Sequence, residues 1–159
     1  MRNKTALRGK RILVSGGTTG IGRETVALLA SKGAKVLTFG RDPEALADAL
    51  AYAEGAIGLT ADASTREGID RVFAEMDTEL GGIDILVANA ALGAQPIHEM
   101  EEDAWRNVIG TNLVGYLACA RAAIKRMEQQ GGGHLLFVGS ISTEIKAEGE
   151  SVYAATKAG

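Results

Sequence analysis

The sequence predicts a doubly wound α/β fold: a parallel sheet in the order 3-2-1-4-5 with helices on both faces. Three observations predict it. Short apolar runs alternate with amphipathic helical segments along the chain, with no linker or repeat between them. The first run, Ile12-Leu13-Val14, breaks into a glycine-rich turn that opens a helical segment. Right-handed crossovers then set the strand order. A chain of 159 residues, 46% of them apolar, is enough for one domain with a real core.

The turn is Ser15-Gly16-Gly17-Thr18-Thr19-Gly20-Ile21-Gly22. Strand, glycine turn and helix make the first half of a dinucleotide-binding unit. Gly16 can turn the chain off the strand, Gly20 removes a Cβ where a pyrophosphate would approach, and Gly22 lets the helix sit close on the sheet. The helix N-terminus offers free N–H groups and a positive dipole end to phosphates. Candidate cofactor contacts are therefore Gly16, Thr18, Thr19, Gly20, Ile21 and Gly22. The helix that follows reads its apolar positions as Ile21, Thr25, Leu28 and Leu29.

Val36 to Phe39 is the second strand. Asp42 caps the next helix, with Pro43 at its first position, and the helix runs to about Ala53. Arg41 follows the strand, where an Arg takes a ribose 2′-phosphate and an acidic residue takes a 2′-hydroxyl. Gly40 leaves room for that phosphate. NADP(H) is preferred over NAD(H) on this ground, although Arg41 also reads as a solvated loop residue. Ala56 to Leu59 is the third strand. Ser64-Thr65-Arg66-Glu67 is a capping box for a helix burying Ile69, Val72, Phe73, Met76 and Leu80. Ile83 to Ala88 is a central fourth strand. A long helix spans about Glu102 to Gln129, with the stripe Trp105, Val108, Ile109, Asn112, Leu113, Tyr116, Leu117, Ala120, Ile124 and Met127. Leu135 to Val138 is the fifth strand, closed by Ser140, and Tyr153 begins a final helix.

Net charge is −3, which gives no nucleic-acid footprint. Arg2, Lys4, Arg8, Lys10 and Arg11 read as a solvated N-terminal tail. No apolar run has signal-peptide or membrane-spanning length. The single cysteine, Cys119, allows no internal disulfide and fits a reducing compartment, hence a cytoplasmic protein. His98 and His134 stand apart, so no metal site is expected.

The turn spacing, followed by Asp62, Asn89, Asn112, Ser140, Tyr153 and Lys157 in that order, resembles the short-chain dehydrogenase/reductase family, and more weakly its oxoacyl-carrier-protein reductase branch. Ala88-Asn89-Ala90-Ala91 matches the family's Asn-Asn-Ala-Gly only at Asn89 and Ala90. The resemblance implies a Rossmann-type fold and interconversion of a small-molecule carbonyl and alcohol. It assigns Asp62 to the adenine amino group, although turn chemistry before Ser64 explains that residue equally simply. It assigns Asn89 to bracing the central strands. Asn112 supports the proton relay by holding a water or Lys157. As an amide on an apolar stripe it needs some partner, and neighbouring backbone is the other option.

Tyr153 and Lys157 lie four apart on one helix face. A free tyrosine, with a reference pKa of about 10, is a poor base near neutrality. A Lys ammonium about 4 Å away, at an effective dielectric near 20, contributes about 4 kcal/mol towards the phenolate. Tyr153 then acts as general acid in reduction and general base in oxidation. Ser140 can hydrogen-bond the substrate oxygen, and the resemblance implies that Lys157 also binds the nicotinamide ribose. The resemblance further implies a longer protein, a homo-oligomeric dimer or tetramer. Residues 1–159 then form one dinucleotide-binding domain, incomplete at the C-terminus and truncated after the fifth strand, with an exposed edge prone to aggregation. The alternative function is a nucleotide-binding fragment without turnover.

Overall fold

The computed structural model describes residues 6–145 and 147–159. Arg2 and Lys4 of the basic cluster lie outside the described residues. Five strands form one parallel sheet in the order β3-β2-β1-β4-β5, as expected. They are β1 (Arg11–Ser15), β2 (Lys35–Gly40), β3 (Ile57–Thr60), β4 (Ile85–Ala88) and β5 (His134–Phe137). The intervening helices are α1 (Gly20–Ser31), α2 (Pro43–Tyr52), α3 (Arg66–Glu75), α4 (Glu102–Ile109), α5 (Gly115–Gln130) and α6 (Ser151–Ala158).

The period-2 geometry of β1 divides the core between the two sheet faces. Leu13 packs with Leu37, Phe39, Phe73, Met76 and Leu86 on one face. Ile12 and Val14 pack with Val26, Val36 and Val87 on the other. Leu13 sits between Leu37 of β2 and Leu86 of β4 in register, which makes β1 the fully buried centre. β3 and β5 are the sheet edges, and Leu135, Leu136 and Phe137 are exposed on β5.

Several boundaries and faces differ from the sequence reading. α1 buries Gly22 and Val26, while Ile21 and Leu28 are exposed. The close seat of Gly22 under the turn fixes that rotation: a Cβ there would collide with the Gly16 carbonyl and the Asn89 amide. α3 is capped by Thr65, whose hydroxyl accepts from Gly68 N at 3.0 Å, and not by Ser64. Ser64 is held one step earlier, donating from both N and Oγ to Asp62. The long helix is one continuous run interrupted by a wider π turn at Gly110–Val114. That wider turn rotates the later residues relative to a regular helix. Cys119 and Ala123 consequently face the core, and Leu117 and Ile124 face out. Arg11 is no tail residue but opens β1 and pairs with Asp84. α6 begins at Ser151, before Tyr153.

Candidate functional site

The C-terminal ends of β1, β2, β4 and β5 open onto one cleft of about 590 Å³. It is lined by Gly16, Thr18, Thr19, Gly20, Ile21, Gly22, Arg41, Asp62, Asn89, Ser140, Tyr153 and Lys157. These are the sequence candidates apart from Asn112, gathered from seven different elements and loops.

The turn is shaped by close contacts. Gly16 takes a φ of +66°, and a Cβ on it would meet Ala90 Cα at 2.7 Å. Ser15 Oγ accepts from the backbone N–H groups of Asn89 and Ala90 at 2.9 and 3.0 Å. Asn89 Nδ2 donates to the carbonyls of Ser15 and Gly16 at 3.1 and 3.0 Å. Asn89 thus ties the end of β4 to the turn after β1. No side chain caps α1 at Thr19, whereas Asp42 caps α2 by accepting from Glu44 N and Ala45 N. The α1 N–H groups are therefore left to the cleft, the arrangement that binds phosphate. Asp62 Oδ1 accepts from Ser64, so its turn role is realised at the rim of the cleft.

Asn112 lies behind the cleft wall, 1% exposed. Its Oδ1 accepts from Leu92 N at 2.7 Å, and its Nδ2 donates to Leu92 O at 2.9 Å and Thr156 Oγ1 at 3.1 Å. Backbone and Thr156, rather than Lys157, satisfy this amide. The π turn places Asn112 to reach both the loop after β4 and α6.

Ser140 lies in the loop three residues beyond β5, and its Oγ accepts from Ser142 N at 3.1 Å. Its hydroxyl also contacts Ser142 Oγ at 3.1 Å. Tyr153 and Lys157 stand one turn apart on α6. The Lys157 ammonium donates to the Val138 carbonyl at 2.8 Å and the Tyr116 hydroxyl at 2.9 Å. Burial lowers the Lys157 pKa from its ordinary value.

Three residues of this neighbourhood were not singled out by sequence reasoning as functional. Tyr116 reads as one position of the long helix's stripe, although a hydroxyl there signals a partner. Thr156 lies inside the Tyr-to-Lys spacing and carries no signal of its own. Thr111 lines the cleft, and its buried Oγ1 has no hydrogen-bond partner among the described residues.

Among the described residues no cluster of three or more His, Cys, Asp or Glu is placed to hold a metal, and no helix is long and apolar enough to cross a membrane.

Residues 10–159 match the family model described as short chain dehydrogenase. The chain is 38% identical to the short chain dehydrogenase/reductase astE of Aspergillus oryzae, over 98% of this chain and 63% of the relative. It is 33% identical to the 3-oxoacyl-acyl-carrier-protein reductase FabG of Vibrio cholerae, over 96% of this chain and 64% of the relative. A short chain dehydrogenase from Bacillus anthracis superposes with a TM-score of 0.90 at 28% identity, over 97% of this chain and 66% of that one. The chain thus spans less than two thirds of the length of these relatives.

Proposed function

The chain belongs to the short-chain dehydrogenase family, and on that premise we propose that it carries the cofactor-binding and proton-donating part of an NADP(H)-dependent oxidoreductase that interconverts a carbonyl and a secondary alcohol. The observation that supports this most is the shared cleft. The uncapped N-terminus of α1 and the side chains of Ser140, Tyr153 and Lys157 face one space.

The residues present fit a nicotinamide dinucleotide. Gly20 has open space where a Cβ would stand, and the free N–H groups of α1 suit a pyrophosphate. Arg41 at the rim of the same cleft suits a 2′-phosphate. When bound, the cofactor supplies or accepts the hydride. The protein's own part is to orient the substrate and move the proton. Ser140 Oγ hydrogen-bonds the carbonyl oxygen and fixes its direction. Tyr153 hydroxyl donates its proton to that oxygen during reduction and takes it back during oxidation. Lys157 keeps its ammonium on the side of the phenol, 6.0 Å from the centre of the Tyr153 ring. Asn112 holds the helix carrying both groups through Thr156. The exposed apolar side chains Val114, Leu117 and Ile124 along one helix support a homo-oligomer.

The test is turnover by the full-length protein with NADPH and a panel of ketones, 3-oxoacyl thioesters included, followed by nicotinamide absorbance. Ketone-dependent oxidation of NADPH is expected. Tight NADPH binding without reduction of any ketone, or of NADP⁺ by any alcohol in reverse, would favour a binding module instead.

A further inference from the structure

Two phenols flank the Lys157 ammonium. Its nitrogen lies 4.8 Å from the centre of the Tyr116 ring and 6.0 Å from that of the Tyr153 ring. Tyr153 lines the open cleft. Tyr116 is half-buried on α5, with the Phe137 ring 6.1 Å away centre to centre. Burial pushes the Tyr116 phenol well above its ordinary range. It therefore stays a neutral hydroxyl and serves Lys157 as an oxygen acceptor.

An ammonium has three N–H donors and no acceptor. Tyr116 and the Val138 carbonyl take two of them, at 2.9 and 2.8 Å. Burial disfavours the charged form of Lys157, and an ammonium taken out of water needs hydrogen-bond partners, which these two oxygens are. One N–H remains for the cleft side. The grip on α6 is also paired along one helix. Asn112 holds Thr156, and Tyr116, one turn later, holds Lys157.

We infer that Tyr116 is a positioning residue, whose hydroxyl holds the Lys157 ammonium against Val138 and so sets where its remaining N–H meets the Tyr153 phenol and the cofactor. The inference rests on the roles given above to Tyr153 and Lys157. It adds Tyr116 at the lysine to the Asn112 that the sequence reading gives a water or Lys157 to hold.

The test is Tyr116→Phe in the full-length protein, which keeps the ring and removes the oxygen. A hydrogen bond to a charged group is strong enough for a fall in kcat of about tenfold. KM for the ketone should not change. The alkaline limb of the pH profile should move downward, because a half-buried ammonium with one oxygen partner fewer loses its proton more readily. Wild-type kcat together with a wild-type pH profile would overturn the inference. A measurement on the unmutated protein guards against a variant that does not fold. The Lys157 ammonium protons, observed by ¹⁵N-lysine NMR, should exchange with solvent more slowly than those of Lys125, and equal exchange rates would overturn the inference. Tyr153→Phe separates this from the functional reading. Turnover in Tyr153→Phe would remove the proton-donor role, while slow exchange at Lys157 would still show the Tyr116 contact.

Discussion

At the N-terminal ends of the strands Arg11 and Asp84 are paired, and at the C-terminal ends polar groups are left facing a cleft. Arg11, at the start of β1, gives two side-chain hydrogen bonds to Asp84, Nε to Oδ2 at 3.1 Å and Nη2 to Oδ1 at 2.7 Å. Its Nη1 donates to Gly81 O at 2.7 Å and its Nη2 to Gln130 Oε1 at 3.0 Å. One guanidinium thereby joins β1, the approach to β4 and the end of α5. At the other end of the same strands, α1 has no cap and Thr111 Oγ1 has no partner among the described residues. Capping a helix is worth about 0.5–2 kcal/mol. The sheet thus places stability at one end and unsatisfied binding capacity at the other, as open α/β sheets do around ligands.

Substitutions at the two ends should separate stability from binding. Gly22→Ala is expected to have the largest effect, because it disturbs both. Its Cβ meets the Gly16 carbonyl and the Asn89 amide, and overpacking of this kind costs about 1–3 kcal/mol. Denaturant unfolding should show that loss, and fluorescence titration should show NADPH binding abolished. Asp84→Ala should act on stability alone. Losing hydrogen bonds to a charged group costs about 1.5–3 kcal/mol, lowering the unfolding midpoint while leaving NADPH affinity unchanged. A change in affinity there would erase the contrast between the ends.

The same pair gives a pH dependence. The Arg11 guanidinium holds the Asp84 carboxyl below its ordinary range. On acidification the unfolded chain therefore takes up this proton first. The pair's contribution is present above the ordinary aspartate range and is lost as pH falls through the lowered value. Asp84→Asn should flatten the acid limb of a stability–pH curve, and an unchanged limb would deny the pair that role. The smallest effect is one of selectivity. Arg41→Ala should weaken NADPH about tenfold more than NADH, the scale of one lost charge-assisted hydrogen bond. Equal weakening would make Arg41 a loop residue.

Most of the sheet was legible because buried parallel strands are nearly continuous apolar runs, as in Ile12-Leu13-Val14 and Ile85-Leu86-Val87-Ala88. The strand order followed from crossover handedness. What the sequence hid depends on exact phase. The π turn at Gly110–Val114 leaves the residue pattern looking like a plain helix, so Leu117 and Ile124 read as core in place of Cys119 and Ala123. Thr65 and Ser64 are adjacent hydroxyls, and only the demand of Asp62 on Ser64 decides which one caps. The cleft candidates were legible as a spacing. Tyr116 was not, because its function lies in a contact across 41 positions of sequence with Lys157.

On the proposed function, the open end of the sheet donates a proton through Tyr153 while holding the cofactor with other groups. Tyr153→Phe tests it most directly, with turnover and NADPH affinity measured on the same full-length preparation. Loss of ketone reduction with NADPH affinity retained is the predicted result. Substantial reduction by the variant, or NADPH affinity lost together with turnover, would contradict it.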